Sequence, residues 1–355
     1  MISVSVEAHV REAKLIMSSS KKNNMLYIGI DLGTSRSVVS SSNGNRKWVE
    51  SYVGWPKDFV AKKMLGKRVL FGNEALEHRL ALNLSRPLQN GVLKEGTEQD
   101  EAAVEELIGH LIELADIESD SEICVAVGVP AEALKVNKIA IKNAISRHAK
   151  KLMVVSEPFS VAYGLGALDN TMIIDIGAGT VDFCIMHGTV PLEEDQRSIL
   201  TAGDYIDEQL LRLLTEKHPE ADFSLNMVRK YKEKHGFVGD PKRRVKIDAP
   251  VDGKFTEFDI TEEMRKACES TMPAIVETVI DLIAGFDPEF QENVRKNIII
   301  AGGGSQLSGI ENYLTEATKQ FEPCTFTCIG DPLYAGADGA LELATDMPEE
   351  FLEKL

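Results

Sequence analysis

The sequence contains no apolar run approaching the roughly 20 residues that a bilayer-spanning helix requires. That argues against a transmembrane segment. Cysteine is sparse: Cys124, Cys184, Cys268, Cys324 and Cys328 are the five in 355 residues. An odd count without a secretory signal fits a reducing cytoplasm better than a disulfide framework. Cys124 and Cys184 lie in apolar, strand-like runs and read as buried thiols. Cys324 and Cys328 are four apart, but no matching His/Cys pair completes a zinc site. Positive charge is also in deficit. Lys and Arg number 39 against 56 Asp and Glu, a net charge of −17. This argues against sequence-independent nucleic-acid binding and against electrostatic docking on anionic lipid. It also makes any assembly of like subunits sensitive to salt and divalent cations.

What is present is ordinary for a soluble globular protein, with 43% hydrophobic and 27% charged residues. The length exceeds one core, so two domains are expected. The first two dozen residues stand apart. Ser18 to Asn24 is polar and is expected to be disordered. Val4, Val6, Val10, Ala13 and Ile16 form only a weak apolar pattern, and Glu7, Arg11, Glu12 and Lys14 within it exclude a secretory signal. A short interfacial helix and a true start at Met17 or Met25 both stay open here.

Two turns far apart carry the chemistry. Asp31-Leu32-Gly33-Thr34-Ser35 follows the apolar run Leu26 to Ile30, and Asp175-Ile176-Gly177-Ala178-Gly179-Thr180 follows Met172-Ile173-Ile174. β-Branched or apolar residues resume after each (Val38, Val39; Val181, Phe183, Ile185), so each reads as strand, tight turn, strand. Successive N–H groups of a glycine turn form an anion nest, and the hydroxyls of Thr34, Ser35 and Thr180 can donate to phosphate oxygens. Asp31 and Asp175 would repel bare phosphate, so they are expected to face a cation. Mg2+ suits oxygen ligands, retained water and bridged phosphates. An ordinary hairpin with a turn-forming Asp is the bland alternative for either turn alone; the pair argues against it. A third cluster, Gly302-Gly303-Gly304-Ser305, follows the strand-like Asn297 to Ala301 and precedes a helix expected from Ser308 or Gly309 towards Phe321. Backbone there can lie flat against a nucleotide.

These three segments resemble, in order and spacing, the phosphate-1, phosphate-2 and adenosine motifs of the actin-like ATPase superfamily, which includes actins, heat-shock chaperone ATPases and sugar kinases. Within it the chain resembles the bacterial actins, on Val53–Asp58, Pro87–Val92, Val155–Phe159 and Phe237–Gly239. Among those it is similar to the filament proteins that organise magnetosomes in magnetotactic bacteria. The resemblance covers about residues 26–345. It implies an α/β, actin-like ATPase fold: two similar α/β domains flank a nucleotide cleft, each with a small inserted subdomain. The expected division is 1–25 as extension, 26–50 with 92–170 and 332–355 as the first core, and 51–91 as its insertion. Residues 171–200 with 260–331 are the second core, and 201–259 its insertion.

The resemblance implies binding and hydrolysis of ATP with Mg2+ near Asp31 and Asp175, the latter also counted as catalytic. Glu157, in Ser156-Glu157-Pro158-Phe159, matches the glutamate that orients or activates water; complementing a helix N-terminus is its bland alternative. Arg229, Lys232 and Glu233 match a segment reaching adenine and ribose, though most charged runs are solvated helix faces. Gly33, Gly177, Gly179 and the 302–305 cluster would cradle the nucleotide. Ala335 to Ala340 resembles a connecting helix whose small residues allow close packing. Self-assembly into cytoplasmic filaments, with ATP/ADP as cofactor and magnetosome-associated proteins as partners, is the functional expectation. Another bacterial actin, with a role in cell shape or segregation, and a non-polymerising ATPase or kinase on the same fold are the alternatives.

Overall fold

The computed structural model describes residues 25–94, 97–117 and 121–355. The expectations for the N-terminal extension therefore lie outside the described residues.

Two sheets of matching topology form the body. In the first, the strands run in the order Glu353–Lys354, Lys151–Ser156, Glu122–Val129, Met25–Leu32, Arg36–Ser41 and Arg46–Glu50. In the second the order is Gln196–Ile199, Val181–His187, Asp169–Ile176, Ile298–Ala301 and Phe326–Cys328. Each sheet starts as an antiparallel meander of three strands and then adds two parallel strands beside the first. Parallel strands covered on both faces favour unbroken apolar runs over alternation. Ile123 to Val129 and Thr171 to Ile176 are buried at every position, as that rule requires.

The helices follow from local signals. Asp58 caps Phe59–Leu65 by accepting from the N–H groups of Val60 and Ala61, and Gly66 ends that helix in the left-handed region. In Glu98–Leu114, capped by Thr97, the buried positions Val104, Leu107, Ile108 and Leu111 recur at helical spacing against the first sheet. Between Ala131 and Lys150 the chain forms two short helices, Ala131–Val136 and Lys138–Ile145. The third glycine cluster itself enters a 3-10 turn, Gly303–Gln306, and the helix beyond it begins at Ile310.

Residues 53–85 carry a small three-stranded sheet, and Lys246–Val251 pairs with Lys254–Asp259 as a separate hairpin. The helix Gly203–Lys217 packs Ile206, Leu210 and Leu214 into the same core as the second sheet. The halves meet along two crossing helices, Glu157–Gly164 and Ala335–Asp346. A Cβ on Gly339 would overlap the carbonyl of Ser160, and one on Gly164 would press the backbone of Gly339. Only glycine admits so close a crossing.

Candidate nucleotide cleft

The site begins where the two inner strands end. Asp31 lies opposite Gly128, and Asp175 opposite Ala301, in the parallel registers. Both aspartates therefore stand at the carboxyl ends of parallel strands, the usual ligand position in α/β sheets. Gly302 has φ of 70°, and a Cβ there would overlap Asp175 and the carbonyl of Ile176. Glycine is thus required for the third cluster to lie against the second turn.

A cavity of about 780 Å³ lies between the halves. Asp31, Gly33, Thr34, Ser35, Glu157, Asp175, Gly177, Gly179 and Thr180 all line it, as do Arg229, Lys232, Glu233, Gly302, Gly303 and Gly304. Ser305 does not; it is buried, and its hydroxyl donates to the carbonyl of Gly302 at 2.7 Å, holding the glycine turn from behind. The two phosphate turns face each other closely enough that a Cβ on Gly179 would lie 2.5 Å from Thr34 Oγ1.

The floor of the cavity is acidic. Glu157 is the first residue of its helix, followed by Pro158 within the first turn. It is buried, and its Oε1 has no hydrogen-bond partner among the described residues. Burial, then the charges of Asp31, Asp175 and Asp182, push its pKa well above the carboxylate range. Burial, then Asp31 and Asp182, do the same for Asp175. Asp31 is pushed up to about 7 by burial, with a hydrogen bond to Glu157 working the other way. Carboxylates packed together in low dielectric are unfavourable unless protonated or matched by a cation. Among the described residues no group of three acidic, His or Cys side chains could hold a metal by itself. A cation here would complete its shell with water and phosphate oxygens, as Mg2+ does. The residues fit that ion.

The charged run 229–234 is more than a solvated face. Arg229 donates to Asp207 at 3.0 Å, Tyr52 at 3.1 Å and Asp204 at 3.1 Å. Burial opposes its charge, but Tyr52, Asp204 and Asp207 outweigh it and raise its pKa. Lys232 reaches the carbonyl of Gly203 at 2.6 Å and Asp207 at 2.8 Å. Both carboxylate oxygens of Glu233 accept from Arg36, at 3.0 Å each. These side chains line the cleft while holding protein partners.

Sequence reasoning missed Asp182, Asp204, Asp207 and Arg86. Asp182 interrupts an otherwise apolar strand and is buried, accepting from the N–H of Ala131 and the hydroxyl of Ser198. Asp207 sits on the apolar face marked by Ile206, Leu210 and Leu214. An acid at an apolar position was the available signal for both. Nothing local distinguished Arg86.

Two matching α/β halves, each offering an aspartate and a glycine turn to a shared acidic cleft, define an actin-like fold. The chain matches the MreB/Mbl protein family model over residues 25–349. It belongs to that family. It is 41% identical to "Actin-like protein MamK" of Paramagnetospirillum magneticum over 332 residues, covering 94% of this chain and 96% of that protein. Its fold matches the solved "MamK double helical filament" with a TM-score of 0.89, at 41% identity over 91% of this chain and 100% of that one. A non-polymerising MamK mutant solved "bound to AMPPNP" matches with a TM-score of 0.71 over the same share of each chain.

Proposed function

We propose that this protein binds ATP with Mg2+ in the cleft, hydrolyses it, and assembles into cytoplasmic filaments of the kind its relatives form. A role in aligning magnetosomes, alongside magnetosome-associated proteins, follows from the same kinship. The observation that carries the catalytic reading is the placement of Glu157. With a cation matching the acidic floor, Glu157 would be a buried, ionised carboxylate between the two turns, able to accept a proton from water and aim it at a terminal phosphate. On this reading the N–H groups of Gly33, Gly179 and the 302–304 glycines hold phosphate and nucleotide, while the N–H of Gly177 donates to the carbonyl of Thr180 at 2.9 Å and shapes the turn. Thr34, Ser35 and Thr180 add hydroxyl donors. Asp31 and Asp175 would hold Mg2+, directly or through water, and the ion would offset phosphate charge. Residues 51–91 and 201–259 would act as the outer insertions of the two cores.

The test is sedimentation with Mg·ATP, Mg·ADP and no nucleotide, with electron microscopy of the pellet, on wild type and Glu157→Ala. ATP-dependent filaments are expected from both. Hydrolysis by the variant should be slower by roughly 10²–10⁴. Hydrolysis at the wild-type rate would remove Glu157 from the mechanism. A soluble protein that still hydrolyses ATP, or that phosphorylates a sugar, would move the reading to an enzyme on the same fold.

A further inference from the structure

We infer that Arg86 and Asp204 are positioning residues that fix the separation of the two phosphate turns. Arg86 follows the strand Leu82–Ser85 of the first half. Its Nε–H donates to the carbonyl of Thr34, in the first turn, at 2.8 Å. Its two terminal nitrogens grip Asp204 of the second half, at 2.7 and 3.3 Å. Asp204 in turn donates its own N–H to the carbonyl of Ala178, in the second turn, at 2.7 Å, beside a 3.1 Å bond from Gly203 to Gly177. One ion pair thus closes a chain of contacts from Thr34 to Ala178.

The geometry suits a spacer. A guanidinium gripping a carboxylate through two nitrogens is directional as well as charged, which a lone ammonium is not. The pair is mostly shielded from solvent, with side-chain exposures of 18% and 23%, so salt screens it less than a surface bridge. Arg229 reinforces it from the second half by donating both to Asp204 and to Tyr52 across the cleft. The ring of Tyr52 also lies under Arg86, 5.9 Å from the guanidinium. Another cross-cleft pair, Arg36 with Glu233, is more exposed, and neither partner's side chain bonds to a phosphate turn.

If two donor-lined turns must straddle one polyphosphate, their spacing sets how tightly it is held. The spacer should therefore control nucleotide release. This rests on the proposed ATP site, so two readouts are needed. The first is release of a fluorescent ATP analogue from the Mg-loaded full chain, chased with unlabelled ATP. Arg86→Ala and Asp204→Asn should each speed release by about 10- to 100-fold. The double variant should be no worse than either single, because both break one contact. Arg86→Lys should fall between, and Arg36→Ala should change release by less than about 3-fold. The second readout is amide hydrogen exchange of the nucleotide-free protein. Arg86→Ala, a change in the first half, should lower protection of the turn Gly177 to Thr180 in the second. Wild-type release from both single variants, additive effects, or an Arg36→Ala effect as large as Arg86→Ala would overturn the proposal. Should wild type fail to bind the analogue, the ATP reading falls, and exchange at 177–180 alone decides the spacer: unchanged protection overturns it.

Discussion

The two ends of the cleft are built on opposite principles. At the inner end the halves meet through helices 157–164 and 335–346, with glycine against backbone and no room for one added carbon. At the mouth they meet through Arg86 with Asp204, Arg36 with Glu233, and Arg229 with Tyr52, all polar and partly wet. Close packing resists displacement in every direction, because interiors are nearly incompressible. The more exposed pair, Arg36 with Glu233, can part and re-form at small net cost, whereas the shielded Arg86–Asp204 pair parts at greater cost. The expectation from this contrast is a fulcrum at the inner end and a closure at the mouth that can reopen.

The largest test of this contrast concerns a residue that makes the mouth harder than it looks. Asp207 is fully buried and paired with both Arg229 and Lys232. Burial raises its pKa, with Lys232 and then Arg229 pulling it back. All three lie in the second half, so the movable contacts hang from a rigid wall. Asp207→Ala leaves two cations without their shared partner and should destabilise the protein by about 3–5 kcal/mol in denaturant unfolding. A loss below about 1 kcal/mol would make the wall as soft as the contacts it carries.

Next comes the fulcrum. Gly339→Val adds carbons where Ser160 already sits. The two helices must separate, at a cost of about 1–3 kcal/mol and towards the upper end because the obstacle is backbone. Both halves should keep their secondary structure by circular dichroism. Unchanged stability would mean that the crossing yields, and the distinction between packed and ionic ends would lose its basis.

How much of this was legible in the sequence depends on range. The two aspartate-glycine turns were legible because aspartate, glycine and hydroxyl are adjacent and flanked by apolar runs, so the signal is local. The matching halves could be suspected from two such turns. The small residues of 335–340 indicated close packing, and the structure shows their partner. The ion pairs of the mouth had no local trace. Arg36 and Glu233 are 197 positions apart, and Arg86 and Asp204 are 118 apart. An arginine before a proline, or an acid in a charged run, looks the same whether it crosses a cleft or faces water. The acid on the apolar face of 203–217 was readable, but only by asking why Asp207 falls among Ile206, Leu210 and Leu214.

The floor between the two ends is held differently from both. Packing holds the fulcrum and opposite charges hold the mouth, but the floor gathers like charges. Asp31, Glu157 and Asp175 line the cavity with Asp182 buried nearby, and burial together with these neighbouring charges raises the pKa of Glu157 and Asp175. That arrangement weakens the bare fold, and on the proposed reading it is where a cation and a water would sit. Glu157→Gln keeps the shape of the side chain and removes one member of the repelling set. In metal-free, nucleotide-free protein at neutral pH it should therefore raise stability by about 1–2 kcal/mol, the scale of one shifted carboxylate. Excess Mg·ATP should narrow the gap, because the wild type then has its negative charge matched. Thermal unfolding of both proteins, with and without Mg·ATP, checks this. A Gln variant less stable than wild type in the bare protein would mean that Glu157 is held by attraction, and the floor would belong with the mouth instead of standing against it.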